Sequence, residues 1–302
     1  MTLEWLLSDK GAGASAKGLS EILDSGRTIP VAGCYDGLSA LLAKQAGFEA
    51  LYLSGAAVSA SMALPDLGLV TMEEVVRAAR SVVRATDLPL IVDCDTGFGE
   101  ILNVMRTVQE LEAVGASCIQ IEDQIFPKKC GHLSDKKLIP AEEMCRKIAA
   151  ARKASDRMLV VARTDAAMFP VETAIERARQ YVDAGADIIF VEAVTSEEEI
   201  LRVRSEINVP LLGNMTEFGR TPQITLSAWR KMGIELVIFP VSALRVAARA
   251  LEEFYATLLR NGDVSEHLSG MMTRTELYER ISYFSYEELD ERIAKSTLAG
   301  GN

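Results

Sequence analysis

Histidine is scarce in this chain, and its scarcity excludes several kinds of active site. Only two histidines, His132 and His267, occur among the 302 residues. A zinc site built from several histidines, or a hydrolase that depends on a Ser-His-Asp arrangement, is therefore not expected. The five cysteines also lack the paired spacing of a disulfide framework, and most adjoin or lie in apolar runs. We interpret them as reduced thiols of a cytoplasmic protein.

Long apolar runs and clustered positive charge are absent as well. No run approaches the ~18 apolar residues that a membrane span requires. The first residues, Met1-Thr2-Leu3-Glu4, include an early acid that is unlike a secretory signal peptide. The formal net charge of −11 argues against a nucleic-acid surface, because phosphate binding needs clustered Lys and Arg. We therefore expect a protein that binds neither membranes nor nucleic acids.

What the chain does have is a regular alternation of short apolar runs with longer Ala-, Glu- and Arg-rich segments of helical period. The runs centre near Val31, Leu51, Leu90, Ile119, Leu159, Ile188, Pro210 and Leu236. Their mean spacing is about 29 residues, which is close to the ~30 residues of a strand-helix unit. Eight such units predict an α/β fold of the (β/α)8 TIM-barrel type, with a parallel barrel inside and helices outside.

Glycines mark four joints at which a helix should hand over to the next strand: Gly47, Gly115, Gly185 and Gly233. Glycine readily adopts the left-handed conformation that commonly ends a helix. The repeat therefore predicts a single domain over residues 1–302. Within it we expect a helical lead-in at 1–28, the barrel at 29–260 and a helical extension at 261–302.

Helical patterns predict a short helix over 18–25 and two longer ones in the tail, over 243–259 and 276–293. The segment 243–259 is strongly apolar and Ala-rich. Either ordinary core packing or a contact with another subunit would account for it.

Polar side chains follow the predicted strands on one side only. They are Ser54, Asp93, Asp95, Glu122, Arg163, Glu192 and Asn214, and each comes at the carboxyl end of its apolar run. In a parallel barrel these ends converge on the face where active sites of this fold are built. The one-sided pattern therefore predicts a catalytic site rather than solvation.

Carboxylates in this set suggest a metal. Asp93 and Asp95 are two residues apart, so they project to the same side of one strand end. Together with Glu122 on the next strand they form an oxygen-only cluster that suits Mg²⁺, which usually keeps several waters and takes further oxygens from its ligand.

Positive charge is expected around the same mouth. Cys130 lies in the segment Lys128-Lys129-Cys130-Gly131-His132, whose field should attract carboxylates and favour the thiolate. Arg163 and Arg245 follow strands, and the guanidinium fork pairs with both oxygens of a carboxylate. A divalent cation with several cationic side chains predicts a small di- or tricarboxylate as the ligand. Taken alone, the Cys130 segment could equally be a lysine-rich surface loop.

Several segments together resemble the isocitrate lyase/phosphoenolpyruvate mutase superfamily. They are Ser54-Gly55, Leu64-Pro65-Asp66-Leu67-Gly68, Asp93-Cys94-Asp95-Thr96-Gly97-Phe98-Gly99, Ile121-Glu122-Asp123-Gln124, Lys128-Lys129-Cys130-Gly131-His132, Ala162-Arg163-Thr164-Asp165-Ala166 and Gly213-Asn214-Met215-Thr216-Glu217-Phe218-Gly219. The resemblance extends over nearly the whole chain, and within the superfamily it is strongest to the 2-methylisocitrate lyases.

The resemblance implies a Mg²⁺-dependent retro-aldol cleavage of 2-methylisocitrate to pyruvate and succinate, as in propionate catabolism by the methylcitrate cycle. It also implies a homotetramer in which the last barrel helix is swapped between subunits. Asp93, Asp95, Asp66 and Glu122 are the implied metal residues. Cys130 is the implied proton donor, and Tyr52 is a candidate base. The implied substrate-binding residues are Ser54, Gly55, Ala56, Cys130, Gly131, His132, Arg163, Glu192, Asn214, Thr216, Arg245 and Arg274.

Two features separate the alternatives. Ala56-Ala57 follows Ser54-Gly55, where 2-methylisocitrate lyases often have further glycines and isocitrate lyases have a bulky tryptophan. Decarboxylases and mutases of the superfamily generally lack the Cys130 segment. The alternatives that stay open are a 2,3-dimethylmalate lyase, an isocitrate lyase-like activity and, from another class, a non-catalytic carboxylate-binding barrel.

Overall fold

The fold is a parallel barrel, as the alternation of runs predicts. The computed structural model describes Leu6 and residues 16–131 and 136–299. The strands of its sheet are β1 (Ile29–Cys34), β2 (Leu51–Leu53), β3 (Leu90–Asp93), β4 (Cys118–Glu122), β5 (Leu159–Thr164), β6 (Ile188–Val191), β7 (Leu212–Asn214) and β8 (Leu236–Phe239). They pair in the order β6-β5-β4-β3-β2-β1-β8-β7, and every pairing is parallel. A parallel bridge between Ile189 and Leu211 brings the two edge strands together.

Helices alternate with the strands. Those of the barrel are α1 (Ala16–Asp24), α2 (Gly37–Gln45), α3 (Gly55–Ser61), α4 (Met72–Ala85), α5 (Ile101–Val114), α6 (Ala141–Ala154), α7 (Val171–Asp183), α8 (Glu197–Glu206) and α9 (Leu226–Lys231). Local chemistry fixes several of their starts, because Asp36 with Ser39 and Thr71 with Glu74 form capping boxes. At the other ends, Gly47, Gly115, Gly185 and Gly233 have φ of 96°, 96°, 105° and 74°, which confirms the predicted joints.

Alternation along the strands divides the core into two layers. Residues such as Val31, Ile91 and Val161 form an interior cluster, whereas Leu51, Val92 and Val160 pack outward with the helices. The predicted short helix at 18–25 is present as α1, whose Leu19 is fully buried in the interior cluster. The barrel interior is therefore packed with side chains, and the polar groups are left to its end.

One strand begins later than its apolar run. The sequence centres the seventh run on Pro210, but β7 begins at Leu212. Proline has no amide hydrogen to donate to the sheet. Its carbonyl does accept a hydrogen bond from the amide of Ile189, at 3.0 Å. Pro210 thus ends the loop before the strand without breaking the contact with β6.

The described residues form two compact units, one of residues 16–131 and 136–244 and one of Leu6 with residues 245–299. The tail contains α10 (Ser242–Asn261), α11 (Arg274–Arg280) and α12 (Tyr283–Ala299). The helix predicted over 276–293 is thus split, and Ser282, between α11 and α12, has a left-handed φ of 59°. In the part of the chain that the structure describes, no helix is long and apolar enough to cross a membrane.

Candidate active site

The polar residues predicted at strand ends do converge. Asp93 and Glu122 are the last residues of β3 and β4, Asn214 ends β7, and Ser54 and Glu192 directly follow β2 and β6. All of them are buried, as is Arg163 within β5. Since parallel strands end on one face of a barrel, these side chains meet at its carboxyl end.

Three carboxyl groups and one lysine form what we call the carboxylate cluster: Asp66, Asp93, Asp95 and Lys128. The Asp93 Oδ2 atom accepts a hydrogen bond from the Gly55 amide at 3.1 Å. A Cβ built on Gly55 would lie 3.0 Å from the same oxygen, so this position favours glycine. Ser54 caps α3 by accepting from the Ala57 amide at 3.3 Å, and Ala56 is half-buried in its first turn.

Lys128 differs from its predicted role beside Cys130. Its ammonium Nζ lies 2.7 Å from Asp95 Oδ1 and also pairs with Asp66, and its side chain is only 4% exposed. Burial lowers the pKa of Lys128, but the nearby carboxylates Asp95, Glu122, Asp93 and Asp66 raise it by more. Lys128 is therefore a fixed cation that neutralises part of the carboxylate cluster, because its long side chain turns back to the strand ends.

The carboxylate cluster and Glu122 fit a hard divalent cation. Glu122 Oε1 is buried without a hydrogen-bond partner, and burial raises the pKa of this carboxyl well above its ordinary value while Arg163 lowers it. Burial likewise raises the pKa of Asp95 to about 6, against the opposing effect of Lys128. In the described residues no group of three or more His, Cys, Asp and Glu is already arranged around a cation position. A Mg²⁺ ion bound by these carboxylates would therefore need waters and ligand oxygens to complete its shell.

A second group, which we call the arginine cluster, consists of Arg163, Glu122, Asp165 and Glu192. Arg163 donates from Nε and Nη2 to the two oxygens of Asp165, at 3.0 and 3.1 Å. Its Nη1 lies 3.3 Å from Glu122 and 3.4 Å from Glu192. One edge of the guanidinium is thus fixed by Asp165, and Nη1 is directed to the looser contacts.

Asn214 and Thr216 lie next to the arginine cluster. Asn214 Nδ2 donates to the carboxylate oxygens of Glu192 at 3.3 and 3.2 Å. Thr216 is buried two residues beyond Asn214, and its carbonyl accepts from Gln223. The predicted residues of β6 and β7 are therefore connected through Glu192.

The Cys130 segment reaches the arginine cluster through Gly131. A Cβ built on Gly131 would collide with Arg163 Nη2 and would lie 2.5 Å from Glu192 Cγ. The missing side chain lets the backbone rest directly on the two predicted substrate-binding residues. Cys130 is a half-buried, unoxidised cysteine beside this contact. His132 lies outside the described residues.

Tyr52 is fully enclosed and has a partner that sequence reasoning missed. Its hydroxyl donates to Gln120 Oε1 at 2.9 Å, and Gln120 Nε2 donates in turn to Asp93 Oδ1 at 3.2 Å. Burial, with added repulsion from Asp93, raises the pKa of Tyr52 well above its ordinary value. The phenol is thus held as a hydrogen-bond donor, which opposes its use as a base.

Other contributors were also missed. Gln120 lies two residues before Glu122 on β4, and Asp165 lies two residues after Arg163, directly beyond the end of β5, so the two-residue period could have found both. Nothing in the pattern signals Lys136, which pairs with Asp165 at 2.6 Å. Two predicted residues, Arg245 and Arg274, belong to the second compact unit, in α10 and at the start of α11.

Comparison with known proteins identifies the family of the chain. A profile of the phosphoenolpyruvate phosphomutase family matches residues 19–259. The chain is 46% identical over 298 residues to the 2-methylisocitrate lyase of Bacillus subtilis (strain 168), covering 98% of this chain and 99% of that protein.

Solved structures agree as well. The fold superimposes with a TM-score of 0.87 on 2,3-dimethylmalate lyase, at 35% identity and with 93% and 95% of the two chains covered. A phosphonopyruvate hydrolase solved with oxalate and Mg²⁺ matches with a TM-score of 0.83, at 32% identity and with 92% and 98% covered. This chain therefore belongs to the phosphoenolpyruvate mutase/isocitrate lyase superfamily.

Proposed function

We propose that the protein is a carbon-carbon lyase that cleaves 2-methylisocitrate to pyruvate and succinate. The observation that carries the proposal is the close contact of the Gly131 backbone with the side chains of Arg163 and Glu192. This contact brings the adjacent Cys130 to the carboxylate-binding part of the strand-end site. The full-length similarity to the 2-methylisocitrate lyase of Bacillus subtilis supports the same reaction.

Asp93 and Asp95 would hold Mg²⁺, directly or through water, with Asp66 and Glu122 around them. When bound, the cation supplies Lewis-acid stabilisation of negative charge on the substrate oxygens. The chain contributes the frame: Gly55 and Gln120 donate to the two oxygens of Asp93, which fixes the orientation of that carboxylate. Lys128 balances part of the charge of Asp66 and Asp95.

Substrate binding falls to the groups around this frame. Ser54, Gly55 and Ala56 would face the 2-hydroxy acid end, because their strand-to-helix turn adjoins Asp93. Arg163 would bind a substrate carboxylate, since its Nη1 makes only the looser contacts of the arginine cluster. Glu192, Asn214 and Thr216 would complete the pocket beside it.

Cleavage requires electrons to move from the hydroxyl group to the departing carbon. The hydroxyl proton passes to solvent water, the oxygen forms the carbonyl of pyruvate, and the C–C bonding pair passes to the succinate carbon. Cys130, at the edge of the arginine cluster, would donate the Sγ proton to that carbon as general acid. Arg163 would stabilise the charge that develops on the adjacent carboxylate.

In this proposal Tyr52 helps to position Asp93 through Gln120 and does not act as the base. Its hydroxyl proton is directed to Gln120, and Gln120 orients Asp93. A base role would require the buried phenol to lose this proton, which its raised pKa disfavours.

A second copy of the chain is the proposed partner, in a helix-swapped homotetramer. Helix α10 exposes Val246, Leu251, Tyr255 and Leu259, at 72%, 50%, 60% and 89%. The last three recur every four residues, so they lie on one face, and such a face suits a subunit contact. Arg245 and Arg274, in the same unit, would serve substrate binding in the assembled form.

Similarity of the fold to 2,3-dimethylmalate lyase makes that reaction the second candidate. It differs from the first in the acid cleaved, since dimethylmalate has one carboxylate fewer for Arg163 and its neighbours.

Incubation with 2-methylisocitrate and Mg²⁺, followed by NMR of the products, tests the proposal. We expect pyruvate and succinate in equal amounts. Binding of the acid without either product would favour a non-catalytic carboxylate-binding barrel and would overturn the assignment.

A further inference from the structure

The backbone on the amino-terminal side of Cys130 is held by a side chain. Gln124 Oε1 accepts a hydrogen bond from the Lys129 amide at 2.9 Å, and Gln124 Nε2 donates to the Lys129 carbonyl at 2.8 Å. Gln124 is 2% exposed, so water does not compete strongly for these bonds. One side chain thus satisfies both backbone groups of the residue before Cys130.

The backbone on the other side of Cys130 is held by Lys136. Its ammonium donates to the carbonyl oxygen of Gly131 and to Asp165 Oδ1, the latter at 2.6 Å. The Lys136 side chain is 1% exposed and that of Asp165 is fully buried. Lys136 therefore bridges the residue after Cys130 to the arginine cluster.

Asp165 is a rigid end for this bridge. Arg163 donates twice to the Asp165 carboxylate, and the Asp165 amide donates to Asp123 Oδ1 at 3.0 Å. Burial raises the pKa of Asp165, but Arg163 and Lys136 lower it by more, so it stays ionised. Gly131 is consequently tied through two ion pairs to the guanidinium on which it rests.

Stability alone does not account for a lysine in this place. A buried ion pair often contributes little net stability, because desolvation of both charges offsets their attraction. Asp165 already has Arg163 as its counter-ion. What Lys136 adds is the bond to the Gly131 carbonyl, which fixes the backbone next to the thiol.

We propose that Gln124 and Lys136 are positioning residues that hold Cys130 against the substrate pocket, one on each side of the thiol. The proposal rests on the proposed function for the proton that Cys130 delivers. The holding itself does not depend on that function, and it can be measured separately.

Amide hydrogen exchange of residues 128–131 tests the holding without turnover. In Lys136→Met, we expect exchange there to rise at least ~3-fold, since local protection follows local hydrogen bonding. Lys137→Met is the matched control, because Lys137 is the exposed neighbour and loses the same charge. Equal exchange in the two variants would overturn the proposal. Gln124→Leu should also raise exchange at these residues, and it carries the test if Lys136→Met does not fold.

A double-mutant cycle tests the consequence for chemistry. We expect Lys136→Met to lower kcat at least ~10-fold, with KM within about threefold, because it displaces a proton donor more than a binding group. In a Cys130→Ser background the same change should lower kcat by less than about threefold. A merely structural role predicts the same factor in both backgrounds, and that result would overturn the positioning role.

The activity and exchange measurements distinguish failure of the proposed function from failure of the proposed positioning role. Absence of pyruvate from every acid with the unsubstituted protein would end the proposed function, whereas the exchange difference between Lys136→Met and Lys137→Met would still decide the holding.

Discussion

The carboxylate cluster and the arginine cluster lie at the same barrel end, but their charges are paired in different ways. In the first, the single ammonium of Lys128 pairs with Asp66 and Asp95, and Asp93 accepts hydrogen bonds from Gly55 and Gln120 instead. In the second, three carboxyl groups surround one guanidinium and leave Nη1 in longer contacts. Carboxyl groups outnumber cations in both, so these residues do not form the cationic mouth expected from the Cys130 segment. A polyanionic acid would need an added cation at the first cluster and a fixed arginine at the second.

Metal removal should give the largest effect, because the cation would supply the charge stabilisation that the carboxylates themselves cannot give to an anionic substrate. We expect a chelator to abolish cleavage and Mg²⁺ to restore it. Binding of Mn²⁺, followed by its EPR signal, extends the test beyond activity. Asp95→Asn should weaken Mn²⁺ binding at least ~10-fold, since the carboxylate proposed to hold the cation is replaced by a neutral amide.

Arg163→Lys is the control for that measurement. It alters the arginine cluster and should leave Mn²⁺ affinity within about threefold. Comparable losses of Mn²⁺ binding in the two variants would contradict the division into two clusters, and full activity in metal-stripped protein would end the metal proposal.

Cys130→Ser should lower kcat by at least ~10²-fold, the usual scale for loss of a general acid. KM and Mn²⁺ affinity should change little, because the serine is nearly the same size. Cys145→Ser provides a matched control, since Cys145 is also a half-buried free thiol but lies on α6. Near-normal turnover in Cys130→Ser would remove this residue from the mechanism.

Gly131→Ala should have a smaller effect confined to the arginine cluster. The added methyl meets Arg163 and Glu192, and such overpacking costs about 1–3 kcal/mol, or ~5–150-fold in kcat/KM. Gly55→Ala should instead weaken Mn²⁺ binding, because its methyl approaches Asp93. Gly18→Ala, with no atom within 4 Å of the new methyl, is the neutral control. The comparison fails if both glycine variants impair the same property.

Local sequence patterns predicted the barrel and the convergence of polar side chains at its carboxyl end. The spacing of the apolar runs and the four glycine joints depend on neighbours in the sequence. Because parallel strands end on one face of a barrel, the same pattern also places Asp93, Glu122, Arg163, Glu192 and Asn214 together. Known relatives confirm the family and the class of lyase that the motifs indicated.

What the sequence did not predict depends on where long side chains turn. Lys128 is adjacent to Lys129 and two residues from Cys130, yet its ammonium pairs with Asp66, 62 residues away. Lys136 follows no strand and has no periodic signal, but it reaches Asp165 across 29 residues. Such pairings are determined by the packed fold. The sequence contains several carboxylates with which each lysine could pair, and separation along the chain does not predict which one it contacts.

The most direct test of the central claim is a comparison of 2-methylisocitrate, isocitrate and 2,3-dimethylmalate at matched Mg²⁺. Ala56-Ala57, where a tryptophan would fill the space, should leave room for the methyl group near the hydroxy-acid end. A methyl in an apolar niche is worth about 1–3 kcal/mol, so we expect kcat/KM for 2-methylisocitrate to exceed that for isocitrate at least ~10-fold. Dimethylmalate should be poorer because it lacks one carboxylate for Arg163 and its neighbours. Equal or faster cleavage of isocitrate or dimethylmalate would contradict the proposed substrate.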